Sequence, residues 1–339
     1  MKILVTGGTG YIGSHTVVEL QAKGYEVIIV DNLSNSSIEV LDNIARISGK
    51  KPLFENFDLC DAQKTSAFFK LHNDIGAVIH FAAFKAVGES VELPLKYYRN
   101  NLFSLVNILE GMIGNNIDNI VFSSSCTVYG QPEFLPVSEV TPVQKAASPY
   151  GNTKQICEEI ITDTSSSTNL KGILLRYFNP IGAHDTALIG ELPLGVPNCL
   201  MPYITQTAIG LRPFLRVWGD DYDTPDGTAI RDYIHVVDLA KAHVIAVERL
   251  TGGSCKQKLE VFNLGTGNGF SVMDVIKSFE ATTGVKLNYE IKDRRPGDVV
   301  KIWADTALAN QELGWKAEKN LDEMTLSAWR WELALAQKK

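Results

Sequence analysis

The chain has 339 residues, of which 45% are hydrophobic and 21% charged, and its formal net charge is −7. This length exceeds the usual single hydrophobic core and predicts one large domain with a smaller one. The acidic balance argues against nucleic acid as the main partner, because phosphate backbones select basic surfaces. No stretch approaches the roughly 20 apolar residues of a membrane span, so no membrane partner is expected. The five cysteines are widely spread and contain no CxxC pair, which favours reduced thiols in a cytoplasmic protein without a metal site.

The first half of the chain alternates short apolar runs with longer amphipathic segments. The apolar runs predict strands at 3–5, 27–30, 53–57, 77–81, 120–122 and 172–177. Their continuous apolarity is typical of parallel strands that are covered on both faces. Helical patterns lie between them at 12–23, 62–71, 95–113 and 148–164. This order predicts an α/β fold, a Rossmann-type doubly wound parallel sheet.

The pattern changes after residue 180. Glycine and proline become dense over 181–227, with a short helix at 200–209, and 164–168 is a Ser/Thr-rich loop. Residues 233–250 indicate a strand and helix that return to the sheet, and 321–336 predict an amphipathic helix. We therefore expect a Rossmann domain over 1–180, with a return segment near 230–250. A smaller, interleaved C-terminal domain over 181–339 would be mainly substrate-binding.

A glycine-rich turn lies directly between the first strand and the first helix, at residues 6–13 (TGGTGYIG). Gly7, Gly10 and Gly13 permit a tight turn, close approach of a pyrophosphate and close helix–strand packing. Asp31 ends the next strand at about the expected interval. A carboxylate there binds ribose hydroxyls and repels a 2′-phosphate, so the cofactor predicted is NAD rather than NADP. The alternative for the glycines is an ordinary tight turn without a ligand. The alternative for Asp31 is a solvated turn residue.

A second pattern combines Tyr150 and Lys154, four residues apart on one helix face, with Ser125 at the end of an earlier strand. A free phenol has a pKa of about 10, too high for a base at neutral pH. The Lys154 ammonium and an oxidised nicotinamide are expected to lower the pKa of Tyr150. Such a pair alone is more often a solvated helix face, but here it follows a dinucleotide turn. We predict that Ser125, Tyr150 and Lys154 are catalytic.

These residues resemble the extended short-chain dehydrogenase/reductases. Four longer stretches narrow the resemblance to the UDP-galactose 4-epimerases: 80–90 (HFAAFKAVGES), 123–130 (SSSCTVYG), 176–180 (RYFNP) and 227–235 (GTAIRDYIH). The resemblance runs from Lys2 to about Trp315 at near-constant spacing. It implies an NAD-dependent enzyme that interconverts UDP-glucose and UDP-galactose by transient oxidation at sugar carbon 4. It also implies a homodimer paired through helices 95–113 and 148–164, whose apolar faces could equally be internal.

The resemblance implies two sets of ligand-contacting residues besides the glycines and the catalytic residues. The further cofactor-binding positions are Tyr11, Ile12, Asp31, Asn32, Asn35, Ser36, Asp58, Leu59, Phe81, Ala82, Lys85, Asn100, Tyr177 and Phe178. The substrate-binding positions, besides Ser125 and Tyr150, are Asn179, Asn198, Cys199, Leu200, Trp218, Arg231, Tyr233, Arg295, Asp298 and Ile302. Arg231 and Arg295 would grip the diphosphate, a task suited to the guanidinium fork. Alternatively, Phe81 and Phe178 are plain core, and the two arginines form surface ion pairs.

Four positions depart from the family's usual residues. Cys199 replaces an asparagine whose amide would bond the diphosphate, which predicts weaker nucleotide binding unless water or Asn198 substitutes. Cys126 replaces an alanine and is expected to be a small buried filler. Trp218 replaces phenylalanine beside the uracil. Ile302 stands where relatives often carry tyrosine or cysteine, and is either a gate near sugar carbon 2 or a buried strand residue without that role.

Two other functions compete with this interpretation. A nucleotide-sugar 4,6-dehydratase of the same fold would resemble its family in carrying a carboxylate just after the serine strand. Here the residues are Cys126 and Thr127, which do not replace a positioned glutamate near neutral pH. A non-catalytic NAD-binding regulator is the other alternative, since fold alone does not establish chemistry. Such proteins usually lose the catalytic tyrosine or lysine, whereas this chain has both.

Overall fold

The computed structural model describes residues 1–295 and 299–337. Its strands, in chain order, are β1 (Lys2–Thr6), β2 (Glu26–Asp31), β3 (Leu53–Asn56), β4 (Ile75–His80), β5 (Asn119–Ser123), β6 (Lys171–Tyr177), β7 (Asn179–Ile181), β8 (Leu215–Trp218), β9 (Ile230–Arg231), β10 (Tyr233–His235), β11 (Leu259–Leu264), β12 (Phe270–Ser271), β13 (Tyr289–Lys292) and β14 (Lys301–Ile302). Its helices are α1 (Tyr11–Ala22), α2 (Glu39–Ser48), α3 (Ala62–Leu71), α4 (Val87–Glu92), α5 (Pro94–Gly114), α6 (Pro149–Ser167), α7 (Leu200–Ala208), α8 (Val236–Thr251), α9 (Val272–Thr283) and α10 (Leu321–Ala336). The six strands predicted in the first half are all present, with ends that differ by a few residues.

A seven-stranded parallel sheet forms the centre, in the order β11-β6-β5-β4-β1-β2-β3. Alternate residues of each strand enter different cores, because successive side chains point to opposite faces. Ile3 and Val5 pack into a core shared with α1, α2 and α8. Leu4 packs into a second core, shared with α3, α5 and α6. The predicted doubly wound Rossmann-type sheet, covered on both faces, is therefore confirmed.

The remaining elements form a smaller unit with a core of its own. Helices α7, α9 and α10 pack there against β8, with Met201, Val217, Phe279 and Met324 buried between them. Three small sheets complete this part: β7 with β10, β9 between β12 and β14, and β8 with β13. These elements follow β6, the strand that carries the chain to the carboxyl edge of the central sheet.

The return of the chain to the central sheet differs from the prediction for 233–250. Helix α8 does pack on the sheet, beside α1. Strand β10, however, pairs with β7, in the register Tyr233↔Asn179 to His235↔Ile181. The strand that joins the central sheet is β11, which pairs with β6. Strand β7 directly follows β6 in the chain. The pairing of β10 with β7 therefore ties the smaller unit to the end of β6.

The predicted Ser/Thr-rich loop at 164–168 is wrong for most of its length, because α6 continues to Ser167. The hydroxyls of Thr164, Ser166 and Ser167 donate to the carbonyls of Ile160, Thr162 and Asp163, each four residues earlier. Such bonds let Ser and Thr satisfy their hydroxyls inside a helix.

Candidate functional site

The glycine-rich turn joins β1 to α1 at the carboxyl edge of the sheet. Gly7 has a φ of +69°, and a Cβ there would lie 2.9 Å from the backbone nitrogen of Ala82. A Cβ on Gly13 would overlap the carbonyl oxygen of Gly7. Gly10 caps α1 without a side-chain hydrogen bond, and the first turn of α1 has no acidic residue. The exposed amides and the positive end of the helix dipole therefore fit a pyrophosphate.

Asp31 lies beside this turn, at the end of β2. Its carboxylate accepts hydrogen bonds from the amides of Thr9, at 3.2 Å, and Leu33, at 2.9 Å. Ser36 joins the cluster through a hydroxyl–hydroxyl contact of 2.7 Å with Thr9. Asn32 and Asn35 are exposed on the same loop. The carboxylate is thus anchored on one side of the glycine turn, in the position that ribose recognition requires.

The other predicted cofactor residues lie along the same edge. Asp58 and buried Leu59 follow β3, and Phe81 and Ala82 follow β4. The half-buried ring of Phe81 packs against His243 of α8, with ring centres 4.6 Å apart and the planes tilted by 44°, and the Ala82 amide donates to Thr6 Oγ1. Asn100 is half-buried on α5. Phe81 is therefore partly core and partly open to the edge where a dinucleotide fits, which combines the two interpretations offered for it.

Ser125, Tyr150 and Lys154 converge next to this edge. Ser125 follows β5, whereas Tyr150 is in the first turn of α6, which Ser148 caps by accepting a hydrogen bond from the Gly151 amide. All three predicted catalytic side chains are buried, with 6%, 7% and 4% of Ser125, Tyr150 and Lys154 exposed. The Ser125 hydroxyl lies close enough to Tyr150 to favour its phenolate. The arrangement can take a proton from a hydroxyl group held against Ser125.

Lys154 makes its closest contact with the backbone of β5. Its ammonium donates to the carbonyl of Ser123 at 2.7 Å, and burial lowers the pKa of Lys154 to about 8. Burial also raises the pKa of Tyr150 well above that of a free phenol, and the neighbouring Tyr177 adds to this effect. The Ser125 hydroxyl and the charge of Lys85 act in the opposite direction and lower this pKa. Among the protein's own groups, the cost of burying the phenolate exceeds this stabilisation, so the predicted lowering of the pKa would depend on the nicotinamide charge as well.

The predicted substrate residues form the other wall. Arg231 on β9 and Ile302 on β14 are register partners, and Asn179 is exposed where β6 passes into β7. Ile302, 4% exposed, packs in one cluster with Phe178, which is 2% exposed. Cys126 lines this cluster, in agreement with its expected role as a small filler, although it is only partly buried. Tyr177 donates or accepts a hydrogen bond with Ser123 at 2.9 Å.

The outer part of this wall is more open. Asn198 is exposed, Cys199 is an exposed free cysteine that caps the start of α7, and Leu200 begins that helix. Trp218, 38% exposed, ends β8. Tyr233 is buried in β10, and Arg295 is exposed. Asp298 lies outside the described residues.

Two residues of the site were missed by the sequence analysis. Thr127 donates its amide to Ser125 Oγ, while its own hydroxyl is buried without a hydrogen-bond partner among the described residues. Asp232 is fully buried and accepts bonds from the amides of Thr266, Gly267 and Ala304. Asp232 thereby holds β9, which carries Arg231, next to the end of β14, which carries Ile302. In the sequence, only its position between Arg231 and Tyr233 could have indicated that Asp232 belongs to the site.

A surface cavity of about 460 Å³ lies elsewhere, at the opposite edge of the sheet. Asn116, Asp118, Ser166 and Lys258 line it, and it contains none of the predicted site residues. Ligands of open α/β sheets bind at the carboxyl ends of the strands, so we place the functional site there and not in this cavity. Residues 1–295 and 299–337 hold no group of three His, Cys, Asp or Glu side chains arranged for a metal. Of the helices described, none combines the length and apolarity needed to cross a membrane.

Comparisons with known proteins agree with this geometry. A family model described as GDP-mannose 4,6 dehydratase matches residues 4–327. The chain is 50% identical over 333 residues to a UDP-glucose 4-epimerase of Bacillus subtilis, covering 98% of this chain and 97% of that protein. It is also 50% identical over 337 residues to the UDP-glucose 4-epimerase of Drosophila melanogaster, with 97% and 96% covered.

Solved structures give the same result. A UDP-glucose 4-epimerase from Stenotrophomonas maltophila, with bound NAD and formylated UDP-arabinopyranose, has a TM-score of 0.95 at 47% identity. A UDP-glucose 4-epimerase from Bifidobacterium longum, in complex with NAD+ and UDP, has a TM-score of 0.95 at 46% identity. Both comparisons cover 100% of each chain. Full-length similarity at this level, in sequence and in structure, shows that the chain belongs to the UDP-glucose 4-epimerase family.

Proposed function

We propose that the chain catalyses the NAD-dependent interconversion of UDP-glucose and UDP-galactose, by transient oxidation at sugar carbon 4 without net redox change. The observation that carries the proposal is the convergence of Ser125, Tyr150 and Lys154 on the edge where the glycine turn and Asp31 fit a dinucleotide. The relatives' names and the NAD and UDP-sugar ligands of the solved neighbours support the same activity and cofactor.

The proposed mechanism assigns a distinct task to each side chain. The glycine turn and Asp31 would hold NAD, whose oxidised nicotinamide would supply the acceptor for a hydride from carbon 4 and would allow its return to the opposite face of the sugar. Tyr150 accepts the proton of the carbon 4 hydroxyl and gives it back to the same oxygen when the hydride returns, while Ser125 holds that oxygen by a hydrogen bond. Lys154, charged below a pKa of about 8, favours the phenolate together with the cationic cofactor. Arg231 and Arg295 hold the diphosphate while the sugar turns about its phosphate linkage.

A 4,6-dehydratase, which the description of the family model would suggest, is disfavoured by the residues after Ser125. Dehydration needs a second acid or base beside the sugar. Burial raises the pKa of the Cys126 thiol to about 12, and Thr127 has only a hydroxyl. Neither group exchanges protons readily near neutral pH. The relatives at 48–50% identity are named as epimerases as well.

Incubation with UDP-galactose, without added NAD, tests the proposal directly. The purified protein is expected to carry tightly held NAD and to form UDP-glucose, while absorbance of NADH stays constant. Accumulation of NADH in proportion to a released keto product would contradict epimerisation and favour a dehydrogenase.

Specificity for N-acetylated sugars is expected to depend on Ile302. By resemblance its side chain lies near the substituent on sugar carbon 2, and its packing against Phe178 is consistent with that place. We expect wild type to convert UDP-N-acetylglucosamine less efficiently than UDP-glucose, since a misfit of one or two methylenes is worth roughly 1–3 kcal/mol. Ile302→Tyr should block the N-acetyl sugars and spare the others.

Ile302→Leu provides the matched control, because it keeps the volume and adds no ring. Turnover of both sugar pairs and the melting temperature are measured for each variant, since Ile302 is buried. The gate assignment fails if wild type ignores the N-acetyl sugars, or if tyrosine leaves their turnover unchanged.

We propose further that two chains pair through α5 and α6, which pack against each other. Leu95 and Phe103 of α5 are 80% and 55% exposed, an apolar surface that a partner would cover. Leu95→Glu should convert the dimer to monomers in light scattering, because a symmetric interface would bury the carboxylate twice. Leu71→Glu is the control, since Leu71 is equally exposed, at 75%, on another helix. A monomeric wild type would contradict the pairing.

The division of the chain and its location are also part of the proposal. We assign residues 1–180 to NAD binding, with a return segment near 230–250, and 181–339 mainly to UDP-sugar binding. The separate core of α7, α9 and α10 supports this division. A cytoplasmic location is supported by the five cysteines, all of which are free. Expression of the enzyme with localisation of a fused reporter would test it.

A further inference from the structure

An ion pair joins the Rossmann domain to the smaller unit. Lys85 Nζ lies 3.0 Å from Glu191 Oε1, with 46% of the lysine and 13% of the glutamate side chain exposed. We propose, on the basis of the function proposed above, that Glu191 is a positioning residue for the reaction. It holds the ammonium of Lys85 at the junction of the dinucleotide and sugar sites, and it thereby sets the effect of that charge on Tyr150.

Glu191 is fixed by the structure on its own side of the junction. Its carbonyl accepts a hydrogen bond from Trp331 Nε1 at 2.9 Å. Gly190, just before it, packs so closely under the Trp331 ring that a Cβ would overlap the indole. Gly190 also forms an antiparallel bridge with Ala183. The backbone of Glu191 is therefore held in place, and the mobile partner of the pair is the long, half-exposed side chain of Lys85.

A second contact ties the same segment to the dinucleotide turn. The Tyr11 hydroxyl donates to the carbonyl of Gly182 at 2.6 Å, and Lys85 Nζ lies 5.8 Å from the centre of the Tyr11 ring. The ion pair and the Tyr11 bond are close to each other, since Tyr11, Gly182 and Glu191 line the same small cavity. The junction thus places Lys85 between helix α1, which begins at the dinucleotide turn, and the segment that leads to Cys199.

The electrostatics connect this pair to the catalytic phenol. Burial raises the pKa of Tyr150 and of Tyr177, and the Lys85 charge opposes the rise at both. Burial alone would lower the pKa of Lys85, but the Glu191 carboxylate outweighs it and keeps that pKa above its usual range. Lys85 therefore stays charged throughout the working pH range. The other charged or titratable groups around the pair and the phenol are Tyr11, Cys126, Lys154, Cys199 and Arg295.

Glu191 both orients and partly neutralises Lys85, so the two variants of the pair act in opposite directions on Tyr150. Glu191→Gln keeps a hydrogen-bond acceptor for the ammonium and removes the negative charge. The uncompensated ammonium then stabilises the phenolate more strongly. Lys85→Met removes the positive charge and has the reverse effect. In the double variant Lys85→Met/Glu191→Gln the ammonium is absent, so the loss of the Glu191 charge should have no further effect on Tyr150.

The test titrates Tyr150 in NAD-containing enzyme. Phenolate is followed by its near-ultraviolet absorbance, as the part of the signal that Tyr150→Phe removes, and the pH profile of kcat/KM is recorded alongside. In Glu191→Gln the pKa of Tyr150 is expected to fall by about 0.5–1 unit, the size expected for one nearby charge. Lys85→Met should raise it, and adding Glu191→Gln to Lys85→Met should produce no further shift.

Two controls separate this role from a structural one. Glu318→Gln breaks a comparable ion pair, in which Lys241 Nζ lies 3.2 Å from Glu318, far from the site, and should leave the titration unchanged. Glu191→Asp keeps the charge and should restore a titration close to that of wild type. If Glu191→Gln folds poorly, Glu191→Asp shows whether the segment tolerates a changed side chain at this position.

The inference is overturned if Glu191→Gln leaves the phenol titration unchanged, or if its shift persists in the Lys85→Met background. The absorbance titration needs no turnover. A wild type without epimerase activity would therefore contradict the proposed function, while the titration still decides the role of Glu191.

Discussion

Replacing Tyr150 by phenylalanine is expected to lower kcat by about 10²–10⁴-fold, the usual cost of losing a positioned acid–base group. The substitution removes one oxygen from a side chain that is 7% exposed, so the ring keeps its packing. Because the glycine turn and the two arginines proposed to hold the diphosphate are elsewhere, NAD content and UDP affinity should remain near those of wild type. Turnover of UDP-galactose, NAD released on denaturation and calorimetric UDP binding measure the three quantities.

Tyr98→Phe is the matched control, since it also removes a phenol oxygen next to α6. The Tyr98 hydroxyl accepts a hydrogen bond from Asn152 at 2.7 Å and has no role in the proposed mechanism. Lys154→Ala should reduce activity as well and shift its pH dependence upward, because the phenolate loses a stabilising charge. Near-normal turnover of Tyr150→Phe would remove Tyr150 from the mechanism.

The central sheet and the dinucleotide turn were predictable because their signals are local. An apolar run, a glycine turn and a carboxylate at the next strand end lie within about thirty residues, the length of one strand–helix–strand unit. The same applies to Tyr150 and Lys154, which share a helix face through their spacing alone. The apolar-run pattern fails at the edge strand β11, because Glu260 and Asn263 interrupt its apolar residues.

Partnerships between distant segments were beyond prediction from the sequence. Lys85 and Glu191 are 106 positions apart, and nothing in the local pattern of either residue indicates the other. Lys154 shows the same limit on a smaller scale. Its spacing from Tyr150 predicted a direct effect on the phenol, whereas in the folded protein the nearest acceptor for its ammonium is the Ser123 carbonyl.

A buried ion pair lies behind Ser125 and Tyr150, and the loss of either partner is expected to lower the free energy of unfolding strongly. Arg176 of β6 donates to Glu158 of α6 at 2.6 Å, and both side chains are about nine-tenths buried. Arg176 also donates to the Tyr129 hydroxyl at 3.1 Å, and Ser124, next to Ser125, donates to Glu158. The pair therefore connects the catalytic helix to the two strands that end at the site.

Glu158→Ala should lower the free energy of unfolding by about 3–5 kcal/mol, because it leaves a buried guanidinium without its counter-charge. Arg176→Met should cost a similar amount at neutral pH. The double variant Glu158→Leu/Arg176→Met removes both charges and should recover most of the loss, since a buried pair is often replaceable by apolar residues. Urea unfolding at a fixed, saturating NAD concentration measures each value, because bound NAD itself stabilises the fold.

The pH dependence of the single variants identifies the cause. Without Arg176, the buried carboxylate of Glu158 has no counter-charge, whereas its protonated form has no charge to bury. Arg176→Met is therefore more stable at low pH, where the carboxyl group is protonated, and it loses this stability as the pH rises. The difference in the free energy of unfolding between wild type and Arg176→Met should therefore grow from pH 5 to pH 8. In Glu158→Ala the guanidinium stays charged, so the corresponding difference for this variant should be nearly constant. Equal pH dependence in both variants, or a double variant as unstable as the sum of the singles, would show that packing and not charge holds this part of the site together.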